Sequence, residues 1–203
     1  MICRAVLCIL LFFSSMMLFA QEGFYSTDTI RDIRITFAQS NWDEILDSLY
    51  VVGDKGRMQA TLFIDGIQYD SVGVRYKGYS SASVDRVKNP FNIKLNYLIE
   101  GQDHQGIDKI KLSNVIQDPS FLREVLSYEI ARKYMPASES NFANVYVNDT
   151  LLGLYSNVEA VNNEFLEKHY TSADNVLVKG NPKTVDLYGE NSNLSQTPGT
   201  DSL

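Results

Sequence analysis

Apolar and polar positions alternate along much of the chain, in short runs separated by turn residues. Ile33, Ile35 and Phe37 alternate with Arg34 and Thr36, which predicts a half-buried strand. The period then changes. Trp42, Ile45, Leu46 and Leu49 recur on one helical face, with Ser40 as a cap and Asp43 three residues on. Met58, Ala60, Leu62 and Ile64 return to a period of two and end in Asp65-Gly66, a dipeptide suited to a type I′ hairpin. The return strand carries Val72, Val74 and Tyr76 on one face and Gly73, Arg75 and Lys77 on the other. After the small-residue loop Gly78-Tyr79-Ser80-Ser81-Ala82-Ser83, a further strand sets Phe91, Ile93, Leu95 and Tyr97 against Asn92, Lys94 and Asn96. The pattern predicts an antiparallel meander with one apolar and one polar face.

In the second half a short strand from Ile107 to Leu112 leads to Asp118-Pro119, suited to the cap and first position of a helix that runs to about Tyr134, before Pro136. Projected at helical spacing, Phe121, Leu122, Val125, Leu126 and Tyr128 form an apolar arc, with Glu129 near its centre and Glu124 at its edge. Phe142 to Val147 and Leu152 to Val158 predict a hairpin about Asn148-Asp149. A short helix to Tyr170 and a strand at Val176 to Lys179 follow, and residues 183–203 read as a polar loop or disordered end. The expected fold class is α+β, an antiparallel sheet with one packed helix.

Composition changes this picture at the N-terminus. Arg4, the apolar run from Ala5 to Phe13 and small or apolar residues up to Ala20 read as a cleaved secretory signal over residues 1–20, which predicts an extracytoplasmic protein without a stable membrane span after cleavage. Both cysteines, Cys3 and Cys8, fall in that segment, so the mature domain at 21–182 is expected to rely on a packed core rather than disulfides. The chain carries 25 acidic against 18 basic residues, a net charge of −7, which argues against a general nucleic-acid binder. With His104 and His169 as the only histidines, a zinc site of the usual ligands is not expected.

Three features could carry chemistry. Arg75, Lys77 and Lys94 project from the polar face of neighbouring strands beside the Gly/Ser loop, an arrangement suited to phosphate; solvated positions on an open sheet face are the alternative. Glu129 in an apolar arc needs a partner, for which Lys94 is the candidate across the sheet; Glu124 is the second carboxylate, and local pairing of Glu129 with Arg132 or Lys133 is the alternative. The strand exit from Gly153 to Val161, with Glu159, would be a hinge in a nucleotide-binding lobe and otherwise an edge strand.

The ordered series Val72-Gly73-Val74-Arg75-Tyr76-Lys77-Gly78-Tyr79-Ser80-Ser81, Lys88-Asn89-Pro90-Phe91-Asn92-Ile93-Lys94-Leu95, Lys111-Leu112-Ser113-Asn114, Asp118-Pro119-Ser120-Phe121-Leu122-Arg123-Glu124 and Val145-Tyr146-Val147-Asn148-Asp149 resembles the spore-coat protein H family of CotH kinase-like proteins. The likeness starts at about Ile33, includes Trp42-Asp43-Glu44-Ile45-Leu46, and runs to about Gly180. It implies the small lobe of an atypical protein kinase that uses ATP and Mg²⁺ to phosphorylate serine or threonine on coat or envelope proteins. Arg75, Lys77, Lys94, Glu129 and Glu159 are then expected around the nucleotide, with a Lys94–Glu129 pair on its phosphates. The family's Trp-Asp motif and later aspartates have no counterpart after Gly180, so the expectation is an N-terminal half without catalytic or metal-binding aspartates, inactive in isolation. A non-catalytic envelope interaction module on the same fold is the alternative.

Overall fold

The structure is a computed structural model that describes residues 23–53, 55–170, 172, 174, 177–180 and 194–197. The signal segment at 1–20 and most of the polar stretch at 183–203 lie outside the described residues. Seven strands follow the chain: β1 (Arg31–Thr36), β2 (Met58–Ile64), β3 (Ile67–Tyr76), β4 (Phe91–Lys94), β5 (Lys109–Ser113), β6 (Ser140–Val147) and β7 (Thr150–Val158). They close into a barrel in the order β1-β2-β3-β4-β5-β7-β6. The closing contact is parallel, with Ile33 beside Val145 and Ile35 beside Val147; every other pair in the barrel is antiparallel. Three short helices accompany it, α1 (Trp42–Val52), α2 (Arg123–Ala131) and α3 (Asn163–Tyr170). Further on, β8 (Leu177–Gly180) and β9 (Leu194–Thr197) pair antiparallel.

This corrects the expected α+β class, an open antiparallel sheet with one packed helix of the kinase small-lobe type. Alternation tells which face of a strand is apolar, and that face is the same whether the sheet is open or closed. Closure is decided by a pairing between the first strand and the sixth, which leaves no unpaired edge in the sheet. Parallel neighbours need a long connection, and here β2 to β5 and two helices supply it.

The apolar faces meet inside. Ile33, Ile35, Leu62, Ile93, Ile110, Val145 and Tyr155 have essentially no exposure. Two turns set the registers. Asp65-Gly66 and Asn148-Asp149 have positive φ at both positions (49° and 86°, 45° and 63°), the type I′ geometry that the first dipeptide predicts. Asn148 also ties the second turn to β1, accepting the Phe37 N–H at 2.8 Å.

Each end of the barrel is covered differently. At one end the Phe24 ring is buried, and the carbonyls of Phe24 and Ser26 accept the buried Asn141 amide at 2.9 Å each. Asn141 in turn accepts from Asn157 at 3.0 Å, so the incoming chain satisfies the Asn141 amide, while the Asn157 Oδ1 stays buried without a partner. Toward the other end, α1 buries Leu46, stacks Trp42 on Phe37, and accepts the Tyr76 hydroxyl at Asp43.

α2 starts later than the capping pattern predicts. Asp118 caps the turn before it, accepting the N–H groups of Ser120 and Arg123 at 3.0 and 2.8 Å, and the helix begins at Arg123. Its inner face is Val125, buried, with Glu124 and Tyr128 half-buried, packed toward β6 and β7. Leu122, Leu126 and Ile130 lie on the outer side and are 46%, 46% and 57% exposed. The apolar arc of the projection is therefore split, with Val125 and Tyr128 turned inward and Leu122 and Leu126 outward, and Glu129 is exposed. No described helix is long and apolar enough to cross a membrane.

Barrel closure makes a direct prediction. The β1 amides from Asp32 to Ile35 point alternately toward β2 and β6, so all are expected to be protected in amide hydrogen exchange. Rapid exchange of every second amide along β1 would mean that its β6 side is open.

Candidate functional site

The strand end at Tyr76-Lys77 brings a half-buried cation to the barrel's surface. Lys77 follows the last residue of β3, and its backbone N–H donates to the Pro90 carbonyl at 2.9 Å, which fixes the side chain on the outer side. Its ammonium donates to the Ser113 Oγ at 2.9 Å, and Ser113 donates onward to Glu124 Oε1 at 3.2 Å. β3, β5 and α2 thus converge on one relay: a cation, a hydroxyl and a carboxylate. Burial lowers the Lys77 pKa from its ordinary value, and the charge of Glu124 opposes that shift. The ammonium is poorly hydrated and only partly compensated.

The loop above it is tied down. Asn89, fully buried, holds the carbonyls of Ser83 and Arg86 and accepts the Ser83 N–H. Asn114 donates to the carbonyls of Ser81 and Lys88 at 2.9 Å each. Gly78 sits at φ +94°, and a Cβ there would lie 2.3 Å from the Ser81 Oγ, so the turn over Lys77 needs glycine. Lys88 bridges to β7, donating to the Leu154 carbonyl at 3.0 Å between the Phe121 and Tyr155 rings.

Two cavities open beside the relay. One, of about 390 Å³, is lined by Ser81, Ser113, Asn114, Arg123 and Glu124 among others. Its wall includes Val115, a β-branched residue at φ +52°, a conformation that costs energy and is held by the surrounding bonds. The other, of about 380 Å³, lies between α1 and the end of β3 and contains Arg75.

A family model described as CotH kinase protein matches residues 74–202. The chain belongs to the CotH kinase family. A search of curated proteins returns no match. The CotH match begins at Val74 and so takes in Arg75, Lys77, Ser113 and Glu124, while β1, α1, β2 and most of β3 precede it.

Within this CotH domain the residues singled out in the sequence separate. Lys77 is brought to Glu124 through Ser113. Arg75 shares its strand face but lines the α1 cavity. Lys94 lies further along β4, between Gly73 and Lys109 in the ladder, and makes no hydrogen bond or ion pair among the described residues. It is not paired with Glu129, which is exposed on the outer side of α2. Glu159 is committed elsewhere: it accepts the Glu139 N–H at 2.8 Å and pairs with Lys168 at 3.1 Å, fastening α3 to the start of β6. Among the described residues no group of three or more His, Cys, Asp or Glu gathers to hold a metal ion.

Sequence reasoning did not single out Ser113, Asn89 or Asn114 as site residues. The available signal was Ser113-Asn114 closing a strand whose outer positions face those of β4, directly before the turn to α2.

The relay predicts a pH signature. The unfolded chain holds the Lys77 proton more tightly than the folded one, so between the lowered folded-state value and the ordinary lysine value stability rises with pH. Lys77→Met is expected to remove that increment in urea denaturation compared across alkaline pH. An identical pH profile for both proteins would show that Lys77 keeps its ordinary pKa.

Proposed function

We propose that this domain supplies the nucleotide-phosphate cradle of an exported CotH-type kinase that transfers the γ-phosphoryl group of ATP to serine or threonine of coat or envelope proteins. The observation that carries the reading is the Lys77–Ser113–Glu124 relay beneath the pinned 78–83 loop, inside the CotH match. A lysine held by a helix carboxylate is the arrangement by which protein kinases hold ATP phosphates. Here Lys77 takes the role expected of Lys94, and Glu124 the role expected of Glu129. A desolvated ammonium attracts a polyphosphate more strongly than a solvated one, because less water must be displaced and the local dielectric is lower.

The described residues fit the phosphates and do not fit a divalent metal: none of them forms a three-ligand acidic cluster. The reading therefore gives this domain binding and orientation, and routes no step of the transfer through Mg²⁺.

The test is nucleotide-dependent stability of the purified chain. With ATP at about a hundredfold its Kd, the wild type is expected to gain about 2.7 kcal/mol, and Lys77→Met to gain none. Glu124→Gln is expected to bind more weakly, since Lys77 loses its anchor. Absence of any ATP effect in the wild type, or an equal effect in Lys77→Met, would leave a non-catalytic envelope interaction module as the better account.

A further inference from the structure

The cavity between α1 and the end of β3 is a second place where positive charge lacks a partner. Its described lining includes Lys55, Arg75 and Lys77, together with Leu49, Tyr50 and Tyr79, and no carboxylate. Lys77 borders it, but its ammonium is taken by Ser113. Arg75 is different. Its Nε is buried with no hydrogen-bond partner, and its guanidinium makes no bond or ion pair among the described residues.

The neighbouring arginine shows that this is not the general condition of the sheet's outer face. Arg57 donates to the carbonyls of Gly73 and Asn92 at 2.9 Å each and to the Asn92 side chain at 2.7 Å. Asn92 is the residue paired with Arg75 in the ladder, so the acceptor nearest in register is already used. The C-terminal end of α1 opens on the same cavity and attracts cations weakly through its carbonyls. Leu49's carbonyl is occupied there by the Gly53 N–H at 3.2 Å, and Arg75 bonds to none of them. A half-buried guanidinium with a dry, unpaired N–H is costly to keep, unless something else occupies the fork.

We propose that this cavity is an anion site for a phosphomonoester, held by Arg75 through its planar fork and by Lys55 as a second charge, adjoining the nucleotide cradle at the shared residue Lys77. Two cations with no carboxylate among the described lining residues favour a dianion over a singly charged carboxylate. At about 380 Å³ the space exceeds what a phosphate group needs, and Leu49, Tyr50 and Tyr79 give it an apolar wall for the group that carries the phosphate. Tyr50 fixes that wall by donating to the carbonyls of Gly78 and Tyr79. One side of the cavity, with Leu49, Tyr50, Lys55 and Gly56, precedes the family match, and the other side, with Arg75, lies inside it.

The test uses the purified full chain, with inorganic phosphate, O-phosphoserine, serine and acetate as probes in calorimetric titration and thermal denaturation. Phosphate and O-phosphoserine are expected to bind and raise the melting temperature at millimolar concentration without added metal, and serine and acetate are not. Stronger binding of O-phosphoserine than of phosphate assigns the site to phosphorylated side chains, and the reverse assigns it to free phosphate. Arg75→Gln is expected to weaken either about tenfold or more, whereas Lys133→Gln, an exposed cation on another face, leaves binding unchanged. Arg75→Met should fold with an unchanged or higher melting temperature in the absence of anion, because no native bond is lost. No phosphate binding by the wild type, equal binding of acetate, or binding that survives Arg75→Gln would overturn the proposal. The nucleotide reading fails separately, by loss of the Lys77-dependent ATP effect while phosphate binding persists.

Discussion

A lysine ammonium withdrawn from water at the end of a barrel strand has to be answered by something, and the arrangement around Lys77 is that answer. Ser113 accepts from it and passes the interaction to Glu124, so that β3, β5 and the first turn of α2 are joined by two hydrogen bonds. Because Glu124 lies one residue from the start of α2, beside the buried Val125, the carboxylate and the helix's packing residue are positioned together. The relay joins the helix to the barrel, and the helix carries the charge that opposes the lowering of the Lys77 pKa by burial.

The barrel makes that possible by being rigid where the relay begins. Its strands are paired on both sides, its interior is filled by side chains with almost no exposure, and its loop over Lys77 is held by two buried asparagines rather than left free. In this Gly/Ser loop Gly78 is required by its φ and by the Ser81 hydroxyl beside it. Two of the non-glycine residues with positive φ, Val115 and Phe121, lie next to this region. Sites that must present charge to a ligand commonly hold such strain in place through surrounding contacts.

The sequence made much of this legible, and the failures have physical causes. Period-two alternation located all seven barrel strands, and the Asp65-Gly66 and Asn148-Asp149 turns named their hairpins. It could not show that β1 returns to pair with β6, because pairing partners are chosen by tertiary contact and leave no local trace. The α2 projection found Val125 and Tyr128, which do face inward, but grouped them with Leu122 and Leu126, which face out. The barrel surface beneath the helix presents Ser140, Phe142 and Ser156 among its outer positions, which suits the mixed face of Glu124, Val125 and Tyr128. The sequence offered Glu129 and Lys94 as the pair, with Lys77 and Glu124 also named; the structure joins Lys77 to Glu124 through Ser113 and leaves Glu129 exposed. A strand residue's outward direction was readable; its distance along the strand from the helix was not.

The central claim is that Lys77 and Glu124 are energetically coupled through Ser113. A double-mutant cycle on unfolding free energy, with Lys77→Met, Glu124→Gln and the pair, measures that coupling directly. The account predicts an interaction energy of about 1 kcal/mol, within the range for residues that share a hydrogen-bond network. Additive effects to within about 0.3 kcal/mol would contradict it.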